Sequence, residues 1–270
     1  MSSLHGDAVT PNLYFAAAGD THGHMHLMVE RVKQLSVQTG ITPSFVLQVG
    51  DFQPLRNLDD LDSMNAPEHY RQLGDFPEFA SGKSTFPWPV WFIAGNHEPF
   101  YHLDQHLKGF TLALNCHYLG RAGRVTVEGL VVAGLSGIYS EKHFQEKRTP
   151  ARLKDQNWKR RGYFSDEDIK TMLKMPRPDV LLLHDCPADV FGRKVPLRGN
   201  PIVRDLIELM TPKLVLCGHI HRFASGMING SQVYALGHVN HDAGSVAMFR
   251  WQEDVGIELI GVNSEQQWQS

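Results

Sequence analysis

The chain has 270 residues, of which 42% are hydrophobic, and a formal net charge of −3. That can bury one sizeable core, and the absence of low-complexity tracts, repeats or a convincing linker leads us to expect one domain over residues 1–270. The slightly acidic balance excludes a global basic field toward nucleic acid, so any such contact must be a local patch.

Met1 to Asn12 has no basic start followed by an apolar run, so no secretory leader is expected. Leu13 to Ala18 reads as a buried strand. Met28, Val29, Val32 and Leu35 recur at helical spacing, which predicts a helix over Met25 to Leu35. Phe45 to Val49 is a second strand, Asn57 to Phe79 is polar with helical stretches of no clean period, and Ser81 to Pro89 is a loop. Val90 to Ala94 is a third strand. Short runs follow at His117 to Leu119, Val125 to Val127 and Leu130 to Ala133, the last two joined by a Glu128-Gly129 hairpin turn. Ser165 with Asp168 is a capping pair for a helix over Asp166 to Met175, stopped near Pro176. Val180 to Leu183 is a strand, Ile202 to Met210 a helix started by Pro201, and Leu214 to Leu216 a strand. Gln232 to Leu236, Val246 to Trp251 and Ile257 to Ile260 close the chain as strands. Two packed sheets flanked by helices accommodate this order.

Cys116, Cys186 and Cys217 are too widely spaced for a disulfide framework or a CxxC zinc site, which points to a reduced compartment. No segment approaches the roughly 20 apolar residues of a membrane span. A cytoplasmic location without membrane contact is expected, and nothing implies a protein partner. Histidine is the outlier, at 15 residues.

The informative feature is five patches built alike: an apolar run, then a Gly or sharp turn, then Asp, Asn or His. They are Gly19-Asp20-Thr21-His22-Gly23, Gly50-Asp51-Phe52, Gly95-Asn96-His97-Glu98, His184-Asp185 and Gly218-His219-Ile220-His221. Singly they are weak. Asp-Thr-His is more often a cap or turn, and Gly-Asp follows many strands. Asn96 and His97 are costly to bury without partners. Side-chain alternation puts His219 and His221 on one side of an extended segment. Together, after separate apolar runs, they read as strand ends offering oxygen and imidazole ligands to hard or borderline divalent metals. Two such metals held close together suit phosphoryl chemistry.

These patches resemble the calcineurin-like metallophosphoesterases, whose motifs run D-x-H, GD, GNH(D/E), H and GHxH, and no motif is missing. The resemblance implies a four-layer α/β/β/α sandwich of two mixed sheets flanked by helices. It implies that Asp20, His22 and His221 hold one divalent ion, that Asn96, His184 and His219 hold a second, and that Asp51 bridges them through its two oxygens. Such a ligand set accepts Mn, Fe, Zn, Co or Ni. The activity implied is phosphodiester hydrolysis by direct attack of a metal-bridging hydroxide, with His97 as general acid at the leaving group. Alternatively His97 only hydrogen-bonds a ligand. Glu98 and Asp185 read as supports for the ligands.

A narrower resemblance covers roughly residues 45–225. Gly50-Asp51-Phe52-Gln53, Arg56-Asn57, Met64, Pro67, Tyr70-Arg71, Ser81-Gly82-Lys83, Tyr118-Leu119-Gly120, Ser136-Gly137-Ile138-Tyr139 and His184-Asp185-Cys186-Pro187 resemble the RNA lariat debranching enzymes. Those enzymes hydrolyse the 2′-5′ phosphodiester of branched RNA. Three departures stand out: that family has Cys at the position of Asp20, has Trp at the position of Cys186, and continues well beyond the last motif. Here the sequence ends at Ser270. Between Ser140 and Arg161 lie Lys142, Lys147, Arg148, Arg152, Lys154, Lys159, Arg160 and Arg161, with Trp158 among them. Basic side chains beside aromatics suit an RNA backbone and its bases, and the segment occupies the place of the lariat-recognition insertion. A solvated loop is the plain alternative. Arg56 could fork onto a phosphate oxygen or pair within Asp59-Asp60-Asp62. The substrate contacts expected are therefore Arg56, Asn57, Lys142, Arg148 and Trp158. The leading substrate is a nucleic-acid or nucleotide diester, with branched RNA its sharpest form. The alternatives are a phosphatase or diesterase of small organic phosphate esters and a non-catalytic scaffold on the same fold.

Overall fold

Thirteen strands form two mixed sheets in the computed structural model, which describes residues 12–149, 156–192, 199–240 and 243–264. The expectation for the first eleven residues and those for Arg152 and Lys154 lie outside the described residues. The first sheet contains β1 (Leu13–Ala18), β2 (Phe45–Gln48), β3 (Val90–Phe92), β4 (Phe110–Ala113), β5 (Cys116–Tyr118), β12 (Val246–Gln252) and β13 (Gly256–Val262), in the order β13-β12-β1-β2-β3-β5-β4. The second contains β6 (Ala122–Val127), β7 (Leu130–Leu135), β8 (Val180–Leu183), β9 (Leu214–Cys217), β10 (Ala224–Ile228) and β11 (Ser231–Ala235), in the order β10-β11-β9-β8-β7-β6. In each sheet four neighbouring strands are parallel, β1-β2-β3-β5 and β11-β9-β8-β7, and antiparallel strands close the margins. The helices are α1 (Met25–Thr39), α2 (Leu58–Asp62), α3 (Phe76–Ala80), α4 (Phe100–Leu103), α5 (Trp158–Arg161), α6 (Asp166–Leu173) and α7 (Pro201–Met210).

Strand alternation sets the layers. Leu13, Phe15 and Ala17 of β1 point between the sheets, where they meet Leu130, Val132, Leu182 and Leu216. Ala16 and Ala18 point the other way and pack under Met25, Met28 and Val32 of α1. On the far side, Leu181, Leu183 and Val215 pack against Met172 of α6 and Val203, Leu206 and Ile207 of α7. The result is four layers, α/β/β/α, as the sequence led us to expect. Phe15 anchors the middle layer: its ring stacks on Phe45 at 5.5 Å and on Phe249 at 5.3 Å. Truncating so buried a ring costs about 3–5 kcal/mol.

The Glu128-Gly129 turn joins β6 to β7, with both residues at positive φ, as a two-residue turn in a right-twisted hairpin requires. Ser165 caps α6 with Asp168, whose carboxylate accepts the Ser165 N–H at 2.8 Å. Helix α1 runs to Thr39, four residues past the apolar period, because nothing stops it until Gly40 takes the left-handed conformation. The edge strands β4 and β10 were not expected: with a face toward solvent, they carry no continuous apolar run. Among the described residues, no helix is long and apolar enough to cross a membrane.

Candidate metal centre

Parallel strands leave a crevice at their carboxyl ends, and side chains just past those ends converge there. Asp20 and His22 follow β1, Asp51 follows β2, Asn96 and His97 follow β3, His184 follows β8, and His219 and His221 follow β9. All seven expected ligands thus reach one place from both sheets. Two groups can each hold an ion: Asp20, His22, Asp51 and His221, and Asp51, His184 and His219. Asn96 joins the second group, with Oδ1 3.2 Å from His184 Nε2.

Asp51 sits where the groups meet, but not with one oxygen for each. Its Oδ1 accepts the backbone N–H groups of Asn96 and His97, both at 2.8 Å. Its Oδ2 alone faces both groups, 3.4 Å from His184 Nε2 and 3.7 Å from His22 Nε2. The expectation of one oxygen for each ion thus meets a geometry in which Oδ2 would be the oxygen offered to both. Asp20 accepts the His219 N–H at 3.1 Å and lies 3.0 Å from His221 Nε2.

The chain bends sharply to aim these groups. His22, Asp51, Gln53, His219 and His221 have φ of 44°, 49°, 55°, 67° and 53°, a region uncommon for residues other than glycine. Such strain gathers where surrounding structure over-determines it. Two motif glycines have a plain steric cause. A Cβ on Gly95 would stand 2.2 Å from Asp51 Oδ1, and one on Gly218 would stand 2.2 Å from Asp20 Oδ1.

Two nearly fully buried carboxylates create a demand for positive charge. Burial alone would raise Asp20 and Asp51, but His184 and neighbouring imidazoles hold both below the usual carboxylate range. Burial likewise opposes charge on His184, yet Asp51 and Asp20 outweigh it and raise its pKa to about 10. Burial pushes His22 down to about 4, which keeps it neutral as a metal ligand must be.

The hydrogen-bond network fits divalent cations. His184 donates its Nδ1–H to the Val49 carbonyl at 2.9 Å, so in the neutral ring the Nε2 lone pair faces Asn96 Oδ1 and Asp51 Oδ2. Three electron-pair donors converge on the place that a proton on His184 Nε2 fills when the ring is charged, and a divalent cation can take the place of that proton. His97 donates Nδ1–H to the Asn65 carbonyl at 2.8 Å, and its Nε2 accepts the Asn96 amide at 2.9 Å. That bond turns Asn96 Oδ1 into the cluster. At His22, the Gln53 Nε2 lies 2.8 Å from Nδ1 while Gln53 Oε1 is buried without a partner. With the amide turned over, Oε1 accepts the His22 Nδ1–H and frees Nε2 for a cation.

Glu98 and Asp185 act as supports. Glu98 accepts the N–H groups of Phe52, Gln53 and Gly95, tying together the turns after β2 and β3. Burial and the Asp51 charge push its carboxyl up to about 8, against three donors that favour the anion. Asp185 accepts the Tyr139 N–H at 3.0 Å.

Three residues expected to contact substrate have internal partners. Arg56 forks onto Asp60, with two bonds of 2.8 Å, and Asn57 caps α2 by accepting the Asp60 N–H at 3.0 Å. Arg148 binds Asp168 at 2.7 Å and the Tyr163 carbonyl at 3.1 Å, with 8% of its side chain exposed. Trp158 packs with Tyr101 and lies under the Arg161 guanidinium. Lys142 is exposed. Within the same segment Arg160 pairs with Glu146 and Arg161 with Asp104. The segment ends beside the site, since Gly162 approaches the Asn96 backbone.

Other residues enter the site unforeseen. Tyr70 stacks on His22 at 3.9 Å, and its hydroxyl lies 3.5 Å from His221 Nδ1. His238, after β11, stacks on His22 at 4.8 Å. Gln48 ties the end of β1 to the turn after β2 through Gly19, Thr21 and Gly50. A lone Gln in an apolar strand was the one signal that could have found it. Tyr70 stood in the sequence only within the Tyr70-Arg71 likeness to debranching enzymes, with no role attached, and His238 lies in no pattern.

An oxygen-and-imidazole centre of this kind at the mouth of a double-sheet sandwich defines a metallophosphoesterase. A family model described as calcineurin-like phosphoesterase matches residues 13–223, and the chain belongs to that family. It is similar to the lariat debranching enzyme of Arabidopsis thaliana, 29% identical over 80% of this chain and 56% of that one. It is also similar to the lariat debranching enzyme of Saccharomyces cerevisiae, 30% identical over 77% of this chain and 57% of that one. The chain spans about half the length of the curated relatives it matches. The solved structure of the protein TT1561 of Thermus thermophilus shares the fold, with a TM-score of 0.55, 14% identity and coverage of 93% of this chain and 98% of that one.

Proposed function

We propose that this protein hydrolyses a phosphodiester of a nucleic acid or nucleotide by one in-line displacement, with no covalent intermediate on the protein. The observation that carries this reading is the shared Asp51 oxygen facing two ligand groups. Asp20, His22, Asp51 and His221 would hold one divalent ion, and Asp51, Asn96, His184 and His219 the other. Bound there, two ions neutralise charge on the phosphoryl oxygens and lower the pKa of the attacking water. Mn, Fe, Zn, Co and Ni all suit the donors.

The chain's own part is to orient and to move a proton. Gln53 and Val49 set the tautomers of His22 and His184, and His97 sets the amide of Asn96. His97 keeps one proton at Nδ1 through Asn65, so Nε2, which accepts the Asn96 amide in the neutral ring, is the atom that would carry the proton for a leaving oxygen when the ring is protonated and that bond is released. The likeness to lariat debranching enzymes supports branched RNA as the sharpest form of substrate.

One observation favours a second reading, a diesterase of small nucleotide esters. Arg148, Arg160 and Arg161 pair with internal carboxylates, which thins the basic surface a long strand would follow. Metal-loaded protein assayed on 2′-5′ branched RNA, linear RNA and an aryl phosphodiester separates the two. Turnover of the aryl ester alone, with no RNA binding at low salt, sinks the RNA form. No turnover of any of the three, with both ions bound, sinks the hydrolase itself.

A further inference from the structure

Beside the first ligand group lies a cavity of about 340 Å³. That is near the lower end of the range of roughly 300–1,000 Å³ for small-ligand sites, room for one nucleoside-sized group. The cavity shares a wall with the metal centre, because His22 and Tyr70 line both. Whatever occupies it is one side chain away from Asp20, Asp51 and His221. His69, Gln72, His238 and Asn240 supply most of the remaining wall.

The chemistry of this wall is selective. Among the described residues it contains no Lys, Arg, Asp or Glu, so beyond its imidazoles it presents no charged side chain of either sign to a phosphate or an ammonium group. Imidazoles are plentiful, yet the two ligand groups already described are the metal clusters found among the described residues, and the cavity adds none. The rings of His69 and Tyr70 stand 4.1 Å apart at 50°, an aromatic surface for a flat neutral group. The Gln72 and Asn240 carboxamides each carry one acceptor and two donors, the equipment that reads a heterocycle edge. A flat, neutral, polar-edged group held next to a phosphoryl centre is a nucleobase.

We propose that this cavity is a nucleobase subsite, seating the base of the nucleotide bonded to the phosphorus under attack. The inference rests on the phosphodiester reading above, in its RNA or its small-ester form alike. Tyr70 then orders His22 on one side, and together with His69 it forms the aromatic border of the base. Gln72 and Asn240 are specificity residues outside the metal centre.

The test uses metal-loaded protein with Gln72→Ala, Asn240→Ala and the double variant. The substrates are thymidine 5′-(p-nitrophenyl phosphate) and bis(p-nitrophenyl) phosphate, which lacks a base. Each variant should lower kcat/KM on the nucleotide ester about tenfold, through KM, for the loss of a base-edge hydrogen bond. The base-free ester should be cleaved as by the parent. Equal effects on both esters, or none on either, overturn the subsite. A second readout does not depend on turnover: calorimetric affinity for adenosine 5′-monophosphate against ribose 5-phosphate. The parent should prefer the nucleotide about tenfold, and the double variant should lose that preference. A parent without preference, or a preference that survives both substitutions, overturns the proposal. If the preference is present and lost as expected while neither ester is cleaved, the subsite stands and the hydrolase reading falls.

Discussion

Arg148→Met separates a structural arginine from an RNA-binding one. Arg148 makes bonds of 2.7 and 3.3 Å to Asp168 and one of 3.1 Å to the Tyr163 carbonyl. The side chains are 8% and 9% exposed, so solvent screens the pair little. Removing one member of a buried pair costs about 3–5 kcal/mol. Asp168 keeps the Ser165 N–H and hydroxyl bonds at 2.8 and 2.9 Å, which places the cost near the lower end, ~3 kcal/mol. Unfolding entropy of about 2.1 cal/mol/K per residue over 270 residues amounts to ~0.57 kcal/mol/K. The expected fall in Tm is therefore about 5 °C at pH 7.

The pH dependence carries a sign. Burial raises the Asp168 carboxyl, but Arg148 more than offsets this and holds it below its ordinary 3.8. The pair's contribution is thus fully present above that value and is lost as pH falls through the depressed folded pKa. In Arg148→Met, burial instead favours the neutral acid, so the gap from the parent should narrow as pH falls toward 4 and below. Thermal denaturation across pH, with RNA affinity at two salt concentrations, reads both properties. An unchanged Tm with weaker RNA binding and a shallower salt dependence would refute the structural assignment.

Asp51→Asn should lower metal content from about two ions per chain to below one, measured by elemental mass spectrometry, because its Oδ2 faces both ligand groups. Retention of both ions would exclude the shared-oxygen bridge. Gln53→Leu removes the group that sets the His22 tautomer and should weaken metal affinity about 10–100-fold, measured by competition with a chelator; parent-like affinity would show that the contact is incidental. His97→Ala should cut turnover by about 10²–10⁴ while about two ions remain bound. If metal is lost as well, His97 serves only to hold Asn96.

The candidate ligand positions were legible before the fold because each follows an apolar run. A strand cannot bury Asp, Asn or His without a partner, so a polar residue directly past its end marks where the sheet stops and the site begins. The same grammar revealed the α6 cap at Ser165 and Asp168 and the hairpin at Glu128-Gly129, both set by contacts within a few residues. Arg148 was misleading for the converse reason. A run of basic residues carries no record of which way each side chain turns, and its carboxylate partner lies twenty residues on.

Strand positions, the caps and turns, and the five polar patches at strand ends follow from local pattern, since strand length, alternation and turn residues are properties of neighbouring positions; the ligand set, the two-metal chemistry and the layer order came from the likeness of those patches to a family. Tertiary structure alone decided how the candidate ligands meet. It brought His219 to Asp20 across 199 residues of chain, with His221 beside it, and turned one Asp51 oxygen toward backbone amides, leaving the other for both groups. It also laid Tyr70 and His238 against His22 beside a cavity walled by imidazoles and carboxamides. Those facts depend on which loops share the open end of two sheets, and no local spacing encodes that.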